Sequence, residues 1–138
     1  MRRIMTTSSL RVVARVLTGS TYAILGAAAV REPGGRVQQA APVLNAMRKV
    51  VPMPKDDLKI VRANGAVQAA AGTLLALGWF PRISALALAG SLVPTTLAGH
   101  AFWTIEDPVV KNIQRIQFHK NMAMIGGLLF AALDADRR

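Results

Sequence analysis

Residues 63–81 contain no Asp, Glu, Lys or Arg, residues 83–105 contain none either, and Arg82 alone separates the two runs. A bilayer hydrocarbon core is about 30 Å thick and takes about 20 residues of helix to cross. Two charge-free runs of that length in tandem restrict the chain to a pair of antiparallel membrane helices. The connection between them, Gly78-Trp79-Phe80-Pro81-Arg82, has the composition of a tight interfacial turn. Gly and Pro break the helix there, and the aromatic rings sit at headgroup level.

Two further apolar stretches extend this pair to an all-α four-helix transmembrane bundle. The expected spans are 12–30, 60–80, 83–103 and 116–133, within a single integral membrane domain covering 1–138. Arg15 lies one turn inside the first span and is expected to reach back toward the headgroups. A cleavable leader beginning at Met1-Arg2-Arg3 competes for this segment. Arg11 and Arg15 interrupt its apolar run, however, and no convincing small-x-small site precedes Arg31, so the segment is expected to be retained. The fourth span is short: the uncharged stretch 121–133 has thirteen residues, about 20 Å of helix. His119 and Lys120 lengthen it, with the lysine reaching outward and His119 following the face of Ala123 and Gly126 toward the interior.

The basic loop 31–59 opens with Arg31-Glu32-Pro33-Gly34-Gly35, a strong helix stop. Val37, Ala40, Ala41, Leu44, Met47 and Val51 then recur at near-helical spacing, with Gln38, Gln39, Asn45, Arg48 and Lys49 between them. This pattern predicts a short amphipathic helix lying in the membrane interface and bent near Pro42; the competing reading is a small loop helix packed on protein. Lys and Arg number seven on the terminal side and ten on the loop side, a margin too small to orient the protein.

Small residues mark the expected packing faces. Gly19 and Gly26 share a stripe with Arg15 and Tyr22 in the first span, Gly65, Ala69, Gly72 and Ala76 line the second, and Ala123, Gly126 and Gly127 line the fourth. Such residues let helix backbones approach closely, which replaces the hydrophobic drive that lipid removes. Pro94 is expected to bend the third span near Thr95 and Thr96, whose hydroxyls can bond locally.

A formal charge of +10 suits nucleic acid, but aromatic residues are only 5% of the chain and do not interleave with the basic ones as stacking platforms require. The absence of cysteine excludes disulfides, thiolate metal sites, iron-sulfur clusters and covalent haem. No phosphate loop or nucleophile motif is present, so no catalytic residue is assigned.

Antiparallel threading brings the start of the second span, the end of the third and the start of the fourth to one membrane face. There lie Arg62, Asn64 and Gln68; Thr96, His100 and Trp103; and His119, Lys120 and Asn121. Each has a structural reading: Lys120 snorkels, Arg62 anchors at headgroups, His100 bonds a carbonyl or Thr96, and Asn64 and Gln68 join helices. Axial haem ligation by His100 and His119, or a metal held with Glu106 and Asp107, finds no support in the spacing; Asp107-Pro108 reads as a turn. A quinone head group fits the cluster better, since it takes hydrogen-bond donors, an aromatic wall and an apolar corridor. A proton or small-solute pathway would draw on similar residues.

The segments VRANGAV (61–67), GWFPRISALALA (78–89), VPTTLAGHAFW (93–103) and FHKNMAMIGGLL (118–129) resemble the DoxX family, in particular its actinobacterial-type members. The resemblance implies a multi-pass protein of the plasma membrane belonging to a redox or oxidative-stress assembly. It also implies a link to quinone and to soluble superoxide-dismutating and sulfurtransferase partner enzymes. Fold and function separate easily, so no activity transfers. The resulting expectation is a membrane subunit, homo- or hetero-oligomeric, that docks soluble redox enzymes and presents a quinone site as at most a subunit of an oxidoreductase. Its rivals are a non-catalytic scaffold whose basic loop recruits an acidic partner or anionic lipid, and a small-solute or proton carrier.

Overall fold

The structure is a computed structural model that describes the backbone of residues 2–136 and the side chains of 7–136; the Met1-Arg2-Arg3 side chains invoked for a leader lie outside the described residues. Five α-helices form among these residues: α1 (Arg2–Arg31), α2 (Arg36–Arg48), α3 (Asp57–Leu77), α4 (Pro81–Gly99) and α5 (Pro108–Asp134), with a 3-10 turn at Phe102–Thr104. The all-α class holds and α2 is the short helix expected in the first loop, but the expected fourth span, 116–133, falls in α5, which is not among the span-length apolar helices. Three helical segments, Thr7–Arg31, Asp57–Leu77 and Pro81–Thr104, are long and apolar enough to cross a membrane. The third expected span breaks earlier than Trp103, because α4 ends at Gly99 and the chain re-forms as the 3-10 turn.

Local chemistry sets the helix ends. The Asp56 side chain accepts a hydrogen bond from the Lys59 amide at 3.2 Å and caps α3, and Asp57 adds a carboxylate to its positive first turn. Asp107 accepts from the Val109 and Val110 amides at 2.9 Å, and Pro108 occupies the first turn of α5. Asp107-Pro108 is therefore a helix start rather than an ordinary turn. The corner between α3 and α4 uses two left-handed residues. Gly78, at φ 75°, closes α3 as its amide and that of Trp79 return to the Leu75 and Leu74 carbonyls. Phe80, at φ 46°, leads into Pro81 as the first residue of α4.

Helices α1 and α3 meet backbone to backbone. A methyl placed on Gly72 would come within 2.6 Å of both the Gly19 oxygen and the Ala23 nitrogen, and one on Gly65 within 2.9 Å of the Gly26 oxygen. Gly19 reciprocally faces Gly72 and Ala76, and Gly26 faces Gly65 and Ala69. The seven-residue interval on both helices keeps one face in contact over two turns.

Helix α3 packs in turn on α4, and α4 on α5. Central α4 holds Ala85 and Leu88 fully buried, in a core shared with Tyr22, Leu75, Leu92 and Leu128. The small-residue stripe expected on α5 takes no part. Gly126 and Gly127 have no heavy atom within 4 Å of where a Cβ would stand, and Ala123 is exposed.

Helix α2 settles against α3 and α4 with Leu44 only 5% exposed, so its apolar face meets protein. Met47 and Val51, at the end of the same stripe, stay exposed. Arg48 secures the following loop. Its guanidinium donates to the Pro54 carbonyl at 3.0 and 2.8 Å and to Asn45 Oδ1 at 3.1 Å, and it pairs with Asp57.

Candidate functional site

The expected polar face exists at the end of the molecule formed by the start of α3, the end of α4 and the first half of α5. Its members divide into a bonded interior group and an exposed rim. Asn64 donates from Nδ2 to Thr95 Oγ1 at 2.9 Å and accepts from Ser91 Oγ at 2.7 Å. Gln68, one turn along α3 and 7% exposed, donates to the same Thr95 oxygen at 3.2 Å. Thr95 Oγ1 in turn donates to the Ser91 carbonyl at 2.9 Å. Four side chains thus tie α3 to α4 just before Pro94 and after it. The proline has no amide to return to Gly90, and its neighbours keep that stretch hydrogen-bonded through side chains.

A second link joins α4 to α5. Thr96, 3% exposed, donates to the Leu92 carbonyl at 2.7 Å and accepts from Asn121 Nδ2 at 3.1 Å. His100 Nδ1 lies 2.7 Å from Gln114 Oε1, bridging the last residue of α4's cap to α5. His100 therefore bonds a side-chain amide instead of the carbonyl or threonine expected for it. Phe102, Trp103 and Phe118 stack edge to face beside it, with ring centroids 5.3–5.8 Å apart.

The other candidates point away from this interior. Arg62, Trp103, His119 and Lys120 are exposed. The expectation that His119 turns inward fails for a simple reason. It does share a face with Ala123 and Gly126, but that face of α5 meets no other helix. His119 instead continues the row Lys111, Arg115, one turn apart, along the exposed first half of α5. Ser91 and Gln114 were missed by sequence reasoning. Ser91 stands four residues before Thr95, the same spacing that marked Asn64 with Gln68, so the signal for it was present. For Gln114 none was, because its role depends on where the 3-10 turn returns the chain.

Ion pairs form at both ends of the molecule, with Arg48–Asp57 and Lys59–Asp56 at the loop end. At the terminal end Arg11 chelates Asp134 through Nε and a terminal nitrogen, at 2.8 and 2.9 Å, and Arg82 binds both oxygens of Asp136 at 2.7 Å. At the loop end Lys49, Lys55, Arg62, Lys111 and Lys120 are exposed and have no ion pair or side-chain hydrogen bond among the described residues.

Three long apolar helices with hydrogen-bonded polar side chains between them define a helical membrane protein. Residues 9–134 match the SURF4 family, an integral membrane protein family, and the chain belongs to it. This corrects the DoxX assignment. The segments that suggested DoxX are rich in Ala, Gly and Leu, which any helix packed in lipid favours, so likeness among them discriminates weakly between membrane families. Comparison with curated proteins and with solved structures finds no match.

Proposed function

We propose that this protein is a non-catalytic membrane scaffold that docks an acidic soluble protein on the basic rim at its loop end. The observation that carries this reading is the cluster of unpaired charge at the loop end: Arg48 and Lys59 pair there with Asp57 and Asp56, while Lys49, Lys55, Arg62, Lys111 and Lys120 are exposed and hold no carboxylate among the described residues. Unpaired, solvated cations on one rim steer and hold a partner of opposite charge. The interior polar residues support the same reading, since Asn64, Gln68, Ser91, Thr95, Thr96 and Asn121 spend their hydrogen bonds on one another.

A quinone-interacting site, with the protein as subunit of a redox assembly in the cell membrane, is the second reading. One observation favours it: Phe102, Trp103 and Phe118 form an aromatic cluster whose Phe118 also meets the His119 ring. Superoxide-dismutating and sulfurtransferase enzymes lose their ground as partners with the family assignment, and the rim specifies only acidity.

Charge reversal of Lys49, Lys55, Lys111 and Lys120 to Glu, followed by gentle solubilisation and purification at low salt, tests the scaffold. An acidic protein that copurifies with the wild type and leaves in high salt should be absent from the reversed variant; unchanged recovery sinks the reading. Quinone-analogue titration of His100→Ala with His119→Ala tests the second, which fails if binding is absent or unaltered.

A further inference from the structure

At the terminal end, opposite the basic rim, α1 and α5 diverge around a cavity of about 280 Å³. One wall is polar, formed by Arg11, Arg15 and Asp134, and the other apolar, with Gly127, Phe130 and Ala131. Asp134 is held by two nitrogens of Arg11. Arg15 makes no ion pair or hydrogen bond among the described residues, and its Nε is shielded from solvent without a partner.

Arg15 reaches from α1 toward the α3–α4 corner, the turn expected at headgroup level. The side chain lies over the end of α3, where a Cβ on Gly78 would come within 2.9 Å of its guanidinium carbon. The carbonyl end of that helix favours a cation there, but it supplies no hydrogen-bond acceptor to Arg15. Among the described residues, two arginines against one aspartate leave the cavity with an uncompensated positive charge.

The apolar wall is open. Neither Gly126 nor Gly127 has a heavy atom within 4 Å of its missing Cβ, and Phe130 is 76% exposed, so the cavity continues onto the outer face of α5. A shielded guanidinium at one end and an uncovered groove running from it are complementary to an anion that carries an alkyl chain. We propose that this cavity binds the phosphate head of an anionic lipid, which accepts hydrogen bonds from Arg15 while an acyl chain runs along Gly127 and Phe130. The planar guanidinium fork matches phosphate oxygens better than an ammonium does. The volume suits a head group rather than a whole lipid, which agrees with a chain lying outside it.

Full-length protein in nanodiscs of mixed dioleoylphosphatidylglycerol and dioleoylphosphatidylcholine, released and weighed by native mass spectrometry, tests this. The wild type should retain phosphatidylglycerol in preference. Arg15→Gln should lower that retention about tenfold, the scale of losing a charge-assisted contact, and Arg15→Lys should recover part of it. Gly127→Leu should also lower it with the guanidinium intact, by filling the groove, and this variant keeps the test decisive should Arg15→Gln fail to fold. Equal retention of the two lipids, or no change in either Arg15→Gln or Gly127→Leu, overturns the proposal. Inorganic phosphate separates the head from the chain: weak competition is expected, and displacement of the lipid by equimolar phosphate would show a free-anion site and overturn the lipid assignment.

Discussion

A methyl group added at Gly26 would enter the backbone of Gly65 and Ala69, whereas one added at Gly127 meets no heavy atom within 4 Å. Gly26→Ala is therefore expected to force α1 and α3 apart and to cost about 1–3 kcal/mol, the usual scale of overpacking. Gly127→Ala should be neutral or stabilising by up to about 1 kcal/mol through helix propensity. Thermal unfolding of the two variants in one detergent checks both; equal loss of stability would contradict the seam. Asn64 is the hub of the buried polar group, bonded to Ser91 and Thr95. Asn64→Leu should cost about 0.6–2 kcal/mol, the range for hydrogen bonds between membrane helices. Combining it with Ser91→Ala should cost less than the sum of the two single variants, since both remove the same hydrogen bond. The Asn64 and Gln68 partnership was readable from their four-residue spacing. The outward turn of His119 was not, because periodicity says which residues share a face and says nothing about what the face meets.

At the scale of elements, α2 owes its position to more than its apolar stripe. Leu44 anchors it, and Arg48 fastens residues 49–56 by gripping Pro54, Asn45 and Asp57. Arg48 thus belongs to the fold, which separates it from Lys49 and Lys55 on the docking rim. Arg48→Ala should leave α2 in place and free the loop, seen as faster tryptic cleavage after Lys55 with unchanged circular dichroism. Cleavage at the wild-type rate would show that the clasp adds nothing. The existence of α2 was legible from near-helical spacing, and the stop of α1 at Pro33-Gly34-Gly35 likewise. Whether its apolar face met lipid or protein was not, since both surfaces ask for the same residues. The start of α5 was legible in principle, as Asp107 followed by Pro108 is a helix-opening pair.

Across the whole molecule, ion pairs join the N-terminal helix to the end of α5 and the α3–α4 corner to Asp136, gathering both ends of the described chain on one side. The charge-free runs 63–81 and 83–105 foretold the antiparallel pair at the centre, because a helical hairpin buries two such runs joined by so short a turn. The reach of α5 was less predictable. At 27 residues it is about 40 Å long, while only its second half is uncharged, so its first half carries Lys111, Arg115 and Lys120 beyond the apolar layer. Orientation by charge counting failed for a related reason: arginines that neutralise local aspartates and lysines that face water weigh equally in the count. The chain has no cysteine, so a single introduced thiol reports its own position without background. Ser8→Cys and Asp136→Cys should react with an impermeant maleimide from one side of sealed vesicles, and Lys55→Cys and Lys111→Cys only from the other. All four sites are exposed, and the ion pair with Arg82 that Asp136→Cys removes lies at the surface, where such pairs are worth about 0–1 kcal/mol. Labelling of Ser8→Cys and Asp136→Cys from opposite sides would mean that α5 does not complete an even number of crossings, and the basic rim would then no longer lie on one face with the ends of α2 and α4.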